Sequence, residues 1–154
     1  MLTLAAYRGH TELCVTLLSS LSPADRLTLI LVDKFTALHW AAYQGQPEIV
    51  SGIMSCLTAD QQLQLLLKQD SGGNTALHLA TRWGRTETVK TLLDHLTPEQ
   101  QLQLLSLQNN EGKTASQEIA GFYGASNTET IIELKRYQIE AIYRVNYREF
   151  AKFT

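Results

Sequence analysis

The sequence has little of what marks secreted, nucleic-acid-binding or membrane proteins. Only two of its 154 residues are cysteines, too few for a disulfide framework. Its net charge of −2 gives no electrostatic preference for nucleic acid or an anionic membrane. The longest apolar stretch, residues 27–32, is interrupted by Thr28 and is far too short to span a bilayer. These absences leave an ordinary soluble unit as the expected class.

Motifs that carry chemistry are also missing. The sequence has no glycine-rich phosphate loop after a strand, no His-x-x-x-His or Cys-x-x-Cys metal spacing, and no paired carboxylates with a partner. Cys14 and His39 do not suggest a nucleophilic pair, because both stand at positions that repeat along the chain. The sequence therefore predicts a chain that is not an enzyme and that holds no metal or cofactor.

What the sequence does contain is one segment written three times. The segment Thr-Ala-Leu-His-x-Ala begins at Thr36 and again at Thr75, and a degraded copy begins at Thr114. A fourth copy opens the chain, where Leu4 to Gly9 matches residues 40–45. Recurrence at a fixed period indicates a solenoid, in which stacked units bury one continuous core.

Each copy begins with the pattern of two antiparallel helices. Gly9, Gly45 and Gly84 are expected to end the first helix, because glycine takes the left-handed C-terminal conformation without steric cost. The second helix has apolar residues at helical spacing and therefore one buried face. Cys14 belongs to that face and should be buried, whereas Cys56 stands at a more exposed position. Unpaired thiols fit a reducing, intracellular and cytoplasmic setting.

A third element follows in each copy. Ser22, Thr58 and Thr97 each precede Pro or Ala, with an acid or a glutamine three residues on. This is a helix N-terminus signature, since the hydroxyl accepts from first-turn amides and proline fits the first helical position. The sequence therefore predicts a short extra helix in each repeat. The loop before Thr36 is three residues shorter than its counterparts, which predicts a truncated first finger.

The repeated motif, the glycine after it and the segment Asp70 to Thr75 resemble the ankyrin repeat. The resemblance covers roughly residues 1–134 and implies an all-α helical solenoid with histidines that join neighbouring units through loop backbone. The period is longer than the usual one of about 33 residues, and Ala replaces the Pro of the family motif. The expected divisions are repeats at about 1–32, 33–71, 72–110 and 111–134, and a C-terminal capping helix at 135–154.

The resemblance also implies a function, which is non-catalytic binding of a partner protein on the concave face. The family places its binding residues at loop tips and at the exposed ends of first helices. Aromatic and arginine side chains, which dominate interface energetics, are frequent there in this chain. The candidate binding residues are Tyr7, Arg8, Tyr43, Gln44, Arg82, Trp83, Phe122, Tyr123, Phe35, Asn74 and Lys113. The alternative is that the rings pack on one another along the stack.

The sequence is also compatible with other roles for the chain and for its C-terminal helix. The chain could be the substrate-selecting repeat region of a larger enzyme or of a secreted bacterial effector acting in the host cytosol. Met1 falls within a copy of the motif, so we expect an excised piece of a longer protein, with a missing N-terminal cap as the alternative. The C-terminal helix could bind a partner instead of capping the stack.

Partners other than protein are not expected. Arg136 and Arg144 could contact nucleic acid, but Glu133 and Glu140 interleave with them and dilute the positive charge, as Glu149 does between Arg148 and Lys152. We therefore expect a monomer with no nucleic-acid, membrane or small-molecule partner.

Overall fold

The computed structural model describes residues 1–118 and 124–152 and, for residues 124–127, the backbone alone. These residues form ten α-helices, one 3-10 helix and an isolated β-bridge between Gln108 and Thr114. The α-helices are α1 (Leu2–Tyr7), α2 (Thr11–Ser19), α3 (Pro23–Leu31), α4 (Ala37–Gln44), α5 (Pro47–Ser55), α6 (Ala59–Leu67), α7 (Ala76–Arg82), α8 (Thr86–Asp94), α9 (Pro98–Ser106) and α10 (Gly124–Ala151). The 3-10 helix is Ala115–Gln117. The prediction of an all-α solenoid is confirmed.

The helices stack in three rows. The first helices α1, α4 and α7 and the 3-10 helix pack in sequence, the second helices α2, α5 and α8 form the next row, and the third helices α3, α6 and α9 form the last. Fully buried side chains such as Leu38, Ile53, Leu77 and Leu92 join the units into one core. Each unit buries its apolar face only against its neighbour, as a solenoid requires.

Small residues let the first helices approach closely. Ala41 and Ala42 are completely buried between neighbouring units. Gly45 follows with φ of 75°, a left-handed conformation in which its amide reaches back to the last carbonyls of α4. Gly9 and Gly84 also have positive φ, which confirms that glycine ends the first helix in all three units.

The third helices confirm the capping signature. In α9, Thr97 Oγ1 accepts from the amide of Gln100 at 3.4 Å, and Gln100 Oε1 accepts from the amide of Thr97 at 3.0 Å. Thr58 caps α6 in the same way, and Ser22 caps α3. The third row also joins units, since Arg26 donates from Nη1 to the carbonyl of Cys56 in the next repeat at 2.9 Å.

The C-terminal helix α10 is one continuous helix of 28 residues. It crosses the end of the stack and packs against α9, α8 and α7, so it occupies the place of both a second and a third helix. The expected boundary at residue 134/135 lies within it. Leu134, Tyr137 and Ala141 line its buried face. Tyr137 Oη donates to Asp94, and burial, with this hydrogen bond, raises the pKa of Tyr137 well above its ordinary value.

We expect Thr97→Ala to lower the free energy of unfolding by about 1 kcal/mol, because α9 loses its N-cap hydroxyl. Denaturant unfolding followed by circular dichroism measures the change. Thr16→Ala is the control, since Thr16 is exposed in the middle of α2 and alanine is a good helix former there. Equal stability of the Thr97 variant and the parent would show that the hydroxyl contributes nothing to α9.

Candidate protein-binding surface

Five aromatic side chains form a continuous run along the first-helix row, which we call the aromatic ridge: Tyr7, Phe35, Trp40, Tyr43 and Trp83. The centroid of the Trp40 ring lies 4.7 Å from that of Tyr7, 4.7 Å from that of Phe35 and 6.0 Å from that of Tyr43. The rings of Tyr43 and Trp83 are 4.9 Å apart. All four contacts are edge-to-face, the geometry that ring quadrupoles favour. The ridge therefore joins three successive units.

The rings of the ridge are both packed and accessible. Tyr7 is 47% exposed at the N-terminal end, and the other four rings are half-buried. The ring contacts agree with the interpretation that the aromatic residues pack along the stack. The exposed edges nevertheless remain on one surface, where another molecule can reach them.

Polar side chains tie down the helix ends next to the ridge. Arg85 Nε donates to the carbonyl of Tyr43 at 3.2 Å, and Gln44 Nε2 reaches the carbonyl of Tyr7 at 3.5 Å. Both bonds satisfy carbonyls that a helix end leaves unpaired. Arg8 lies beside Tyr7 and is exposed. Gln44 is thus partly engaged in structure, whereas Arg8 faces solvent.

Arg82 lies in a polar cluster at the last junction. Its guanidinium pairs with Glu118 at 2.8 Å, and Glu118 is only 4% exposed while Arg82 is 31% exposed. Asn109 donates to the same carboxylate and also to Asn74 Oδ1 at 3.1 Å. Asn74 was expected at an accessible loop tip, and this expectation is wrong, because Asn74 is 7% exposed and also bonded to Asp70.

The remaining candidates are Lys113, Phe35, Phe122 and Tyr123. Lys113 is exposed on the third finger, where its ammonium pairs with Glu111 at 2.6 Å. Phe35 belongs to the ridge and also approaches the ring of His39, at 5.2 Å. Phe122 and Tyr123 lie outside the described residues. The structure therefore brings Tyr7, Phe35, Tyr43 and Trp83 together and leaves Lys113 at a separate finger.

Sequence reasoning missed Trp40 and Glu118, which occupy the same position of the repeat. Each follows the histidine position, or its Gln117 counterpart, by one residue, and each contacts the end of the preceding first helix: Trp40 contacts Tyr7, and Glu118 contacts Arg82. The sequence contained a signal for Glu118, since an acid at a position that holds Trp40 and Leu79 in other units suggests a positively charged partner. It contained no signal that Trp40 contacts Tyr7, because that contact depends on how the units stack.

The part of the chain that the structure describes offers no group of three or more His, Cys, Asp or Glu side chains placed to hold a metal ion. None of its described helices is long and apolar enough to cross a membrane.

Comparison with known proteins assigns the repeat. A family model described as "Ankyrin repeats (3 copies)" matches residues 2–104. The chain belongs to the ankyrin-repeat family. Ankyrin repeats are protein-interaction modules.

Solved structures show the same architecture. The chain is similar to one in the crystal structure of the yeast ribosomal protein Rps3 in complex with its chaperone Yar1, with a TM-score of 0.61 and 22% sequence identity. The alignment covers 90% of this chain and 89% of that one. At this identity the likeness shows the fold alone. No curated protein sequence matches the chain.

The ankyrin histidines join each unit to the next. The amide of Thr36 donates to Nδ1 of His39 at 3.2 Å, so Nδ1 carries no proton and Nε2 donates to the carbonyl of Asn74 at 3.1 Å. His78 repeats this arrangement with the carbonyl of Lys113 at 3.0 Å. The expected contacts between units through loop backbone are confirmed.

The hydrogen bonds favour a neutral form of both imidazoles. Protonation would place a hydrogen on Nδ1, directed at the amide hydrogen of Thr36 or Thr75. Burial lowers the pKa of His39 and of His78 below the ordinary value of 6.5, although the hydrogen bond to the carbonyl opposes the shift in each case. The unfolded chain therefore binds more protons than the folded chain in mild acid.

We expect the free energy of unfolding to fall as pH drops below about 6.5, by at most about 1.4 kcal/mol per pH unit for each buried histidine. His78→Gln should roughly halve this dependence. It should also lower stability at pH 7 by about 1 to 3 kcal/mol, because the carbonyl of Lys113 loses its donor. Urea unfolding across mild acid measures both effects.

Glutamine is the matched replacement because Gln117 occupies this position in the last unit and accepts from the amide of Thr114 at 2.9 Å. His10→Gln, at an exposed position outside the junctions between units, is the control for the exchange of histidine for glutamine. An unaltered dependence in the His78 variant would contradict the neutral-imidazole assignment.

Proposed function

We propose that this chain binds a partner protein through the aromatic ridge, on the face formed by the first-helix row and the fingers, which we expect to be concave. The observation that carries the proposal is the unbroken series of ring contacts from Tyr7 through Trp40 and Tyr43 to Trp83. Four rings held in fixed register across three units form a surface of the residue types that dominate interface energetics.

Ring packing within the stack favours binding instead of competing with it. Trp40 touches three other rings of the ridge, so its side chain is already immobile before a partner arrives. A partner then loses less free energy to ordering this surface than it would with mobile side chains. The exposed Arg8 extends the ridge at one end with a cation suited to an acidic or carbonyl-rich partner surface.

We propose that this binding takes place in an intracellular, reducing compartment. Cys14 and Cys56 are both unpaired, which supports an intracellular, reducing compartment. The same surface would select a substrate if these repeats belong to a larger enzyme or to a delivered effector. The similar solved structure is a complex of a ribosomal protein with its chaperone. For this chain, too, we propose a protein as the binding partner.

We expect Trp83→Ala to weaken partner binding by about 2 kcal/mol or more, the range of a central hot spot. Stability should change little, since Trp83 is half-buried at a helix end. Affinity capture with the parent identifies the partner, and calorimetric titration of parent and variant against it measures the loss.

Leu13→Ala is the control, because it removes a side chain that is 45% exposed on the second-helix row, away from the ridge. A thermal melt accompanies each variant. If Trp83→Ala instead costs the 3 to 5 kcal/mol typical of a buried aromatic and the remaining folded protein binds normally, the ridge is packing alone.

A further inference from the structure

The outer face of α10 carries most of the exposed large apolar side chains among the described residues. Six of the eleven large hydrophobic side chains that are exposed lie on it: Ile132, Ile139, Ile142, Tyr143, Tyr147 and Phe150. All of them except Ile142 are more than 60% exposed. The rings of Tyr143 and Tyr147 stack at 6.1 Å. Contiguous apolar surface of this kind marks an interaction site.

This outer face is opposite to the face that holds α10 on the solenoid. At 100° per residue, Ile132, Ile139, Tyr143 and Phe150 fall within about 40° of one another, and the buried Leu134 and Ala141 fall about 180° away. The helix therefore has a second apolar face that the cap does not need. That face runs about 27 Å from Ile132 to Phe150.

The outer face follows a coiled-coil heptad. Ile132, Ile139 and Asn146 repeat every seven residues, and so do Arg136, Tyr143 and Phe150, with alternating steps of four and three between the two sets. These two sets correspond to the d and a positions of a heptad. The heptad predicts that the face accepts another helix along its length.

The heptad core positions of α10 match those of a second copy of α10 that runs antiparallel to the first. Centring the pair next to Ala141 places Ile139 opposite Tyr143 of the other copy and Ile132 opposite Phe150. The two polar core positions, Arg136 and Asn146, then also face each other. Apolar side chains thus meet apolar side chains, and polar meet polar, in every core layer.

The flanking positions agree with the same register. On one side Ile142 meets Ile142 of the other copy at the two-fold axis, and Lys135 lies opposite Glu149 on both sides of it. On the other side Glu140 meets its own counterpart, but Arg136 already pairs with that carboxylate within the helix at 3.0 Å. Opposite charges in both symmetry-related pairs stabilise this register, and Glu149 also pairs with Lys152 within the helix at 2.6 Å.

We propose that two copies of this chain form an antiparallel, two-fold symmetric dimer through the outer face of α10. This interface uses the same patch on both copies, as closed dimers do. It replaces the expected monomer and is separate from the aromatic ridge, so the two proposals succeed or fail independently. None of the side chains of this interface belongs to the aromatic ridge.

Sedimentation equilibrium of the complete chain, from micromolar to millimolar concentration, tests the dimer. We expect the mass to rise from 17.2 kDa to twice that value as concentration increases. Tyr143→Glu should weaken dimerisation by roughly 100-fold or more, because it places two charges in the centre of the apolar core. Gln138→Glu adds the same charge at an exposed position outside the heptad core and should leave the dimer intact.

A charge exchange tests the register. Lys135→Glu alone should weaken the dimer by roughly tenfold, since both ion pairs become repulsive, and Glu149→Lys alone should do the same. The double variant should recover the parent's dimerisation constant. In a parallel pair these two residues are far apart, so no recovery would occur.

Three results would overturn the proposal. They are a single 17.2 kDa species for the parent over the whole concentration range, a dimer that tolerates Tyr143→Glu, and single charge variants that the double exchange does not rescue. Far-UV circular dichroism of each variant verifies that α10 stays folded. All substituted side chains are exposed, so loss of the dimer without loss of helix reports on the interface.

Discussion

A neutral imidazole between consecutive units is the interaction on which the stack depends. Nδ1 of His39 accepts from the amide that begins its own first helix, and Nε2 donates to the finger of the next unit. One side chain thereby satisfies a helix N-terminus and fixes the neighbouring loop in register. Burial lowers the pKa of the ring and so favours the neutral form that accepts at Nδ1. This link and its counterpart at His78 hold the second and third fingers in position.

The side chains at the junctions between units change character along the stack. At the first junction Tyr7 packs on Trp40, whereas at the last junction Arg82 pairs with the buried Glu118. The same two positions of the repeat are used in both places. Removing one member of the charged pair leaves a buried charge without a partner, which is costlier than losing an edge contact between rings. Among the described residues, ring contacts therefore join the first three units, and an ion pair joins the third unit to the fourth.

Much of the fold could be predicted because it depends on local chemistry that recurs every 36 or 39 residues. The glycine ends of the first helices, the hydroxyl caps of α3, α6 and α9 and the burial of Cys14 all follow from residues close in sequence. The burial of Asn74 could not be foreseen, because it depends on Asn109 of the next finger, and on Arg82 at the end of α7, bonding to its side chain. The continuity of α10 was also missed, since its sequence gives no sign that one helix spans the places of two.

The third helix of each repeat has a mechanical consequence. Units that contact each other along only two rows of helices can tilt relative to one another. Only the short distance between the two rows resists that tilt. Here a third row, with Arg26 bonded to Cys56 and Gln61 bonded to Pro23 across one junction, lengthens that distance. Bending the array must then stretch contacts farther from the hinge. This solenoid should therefore resist bending more than an array of two-helix repeats of equal length. A bound protein should change its curvature little.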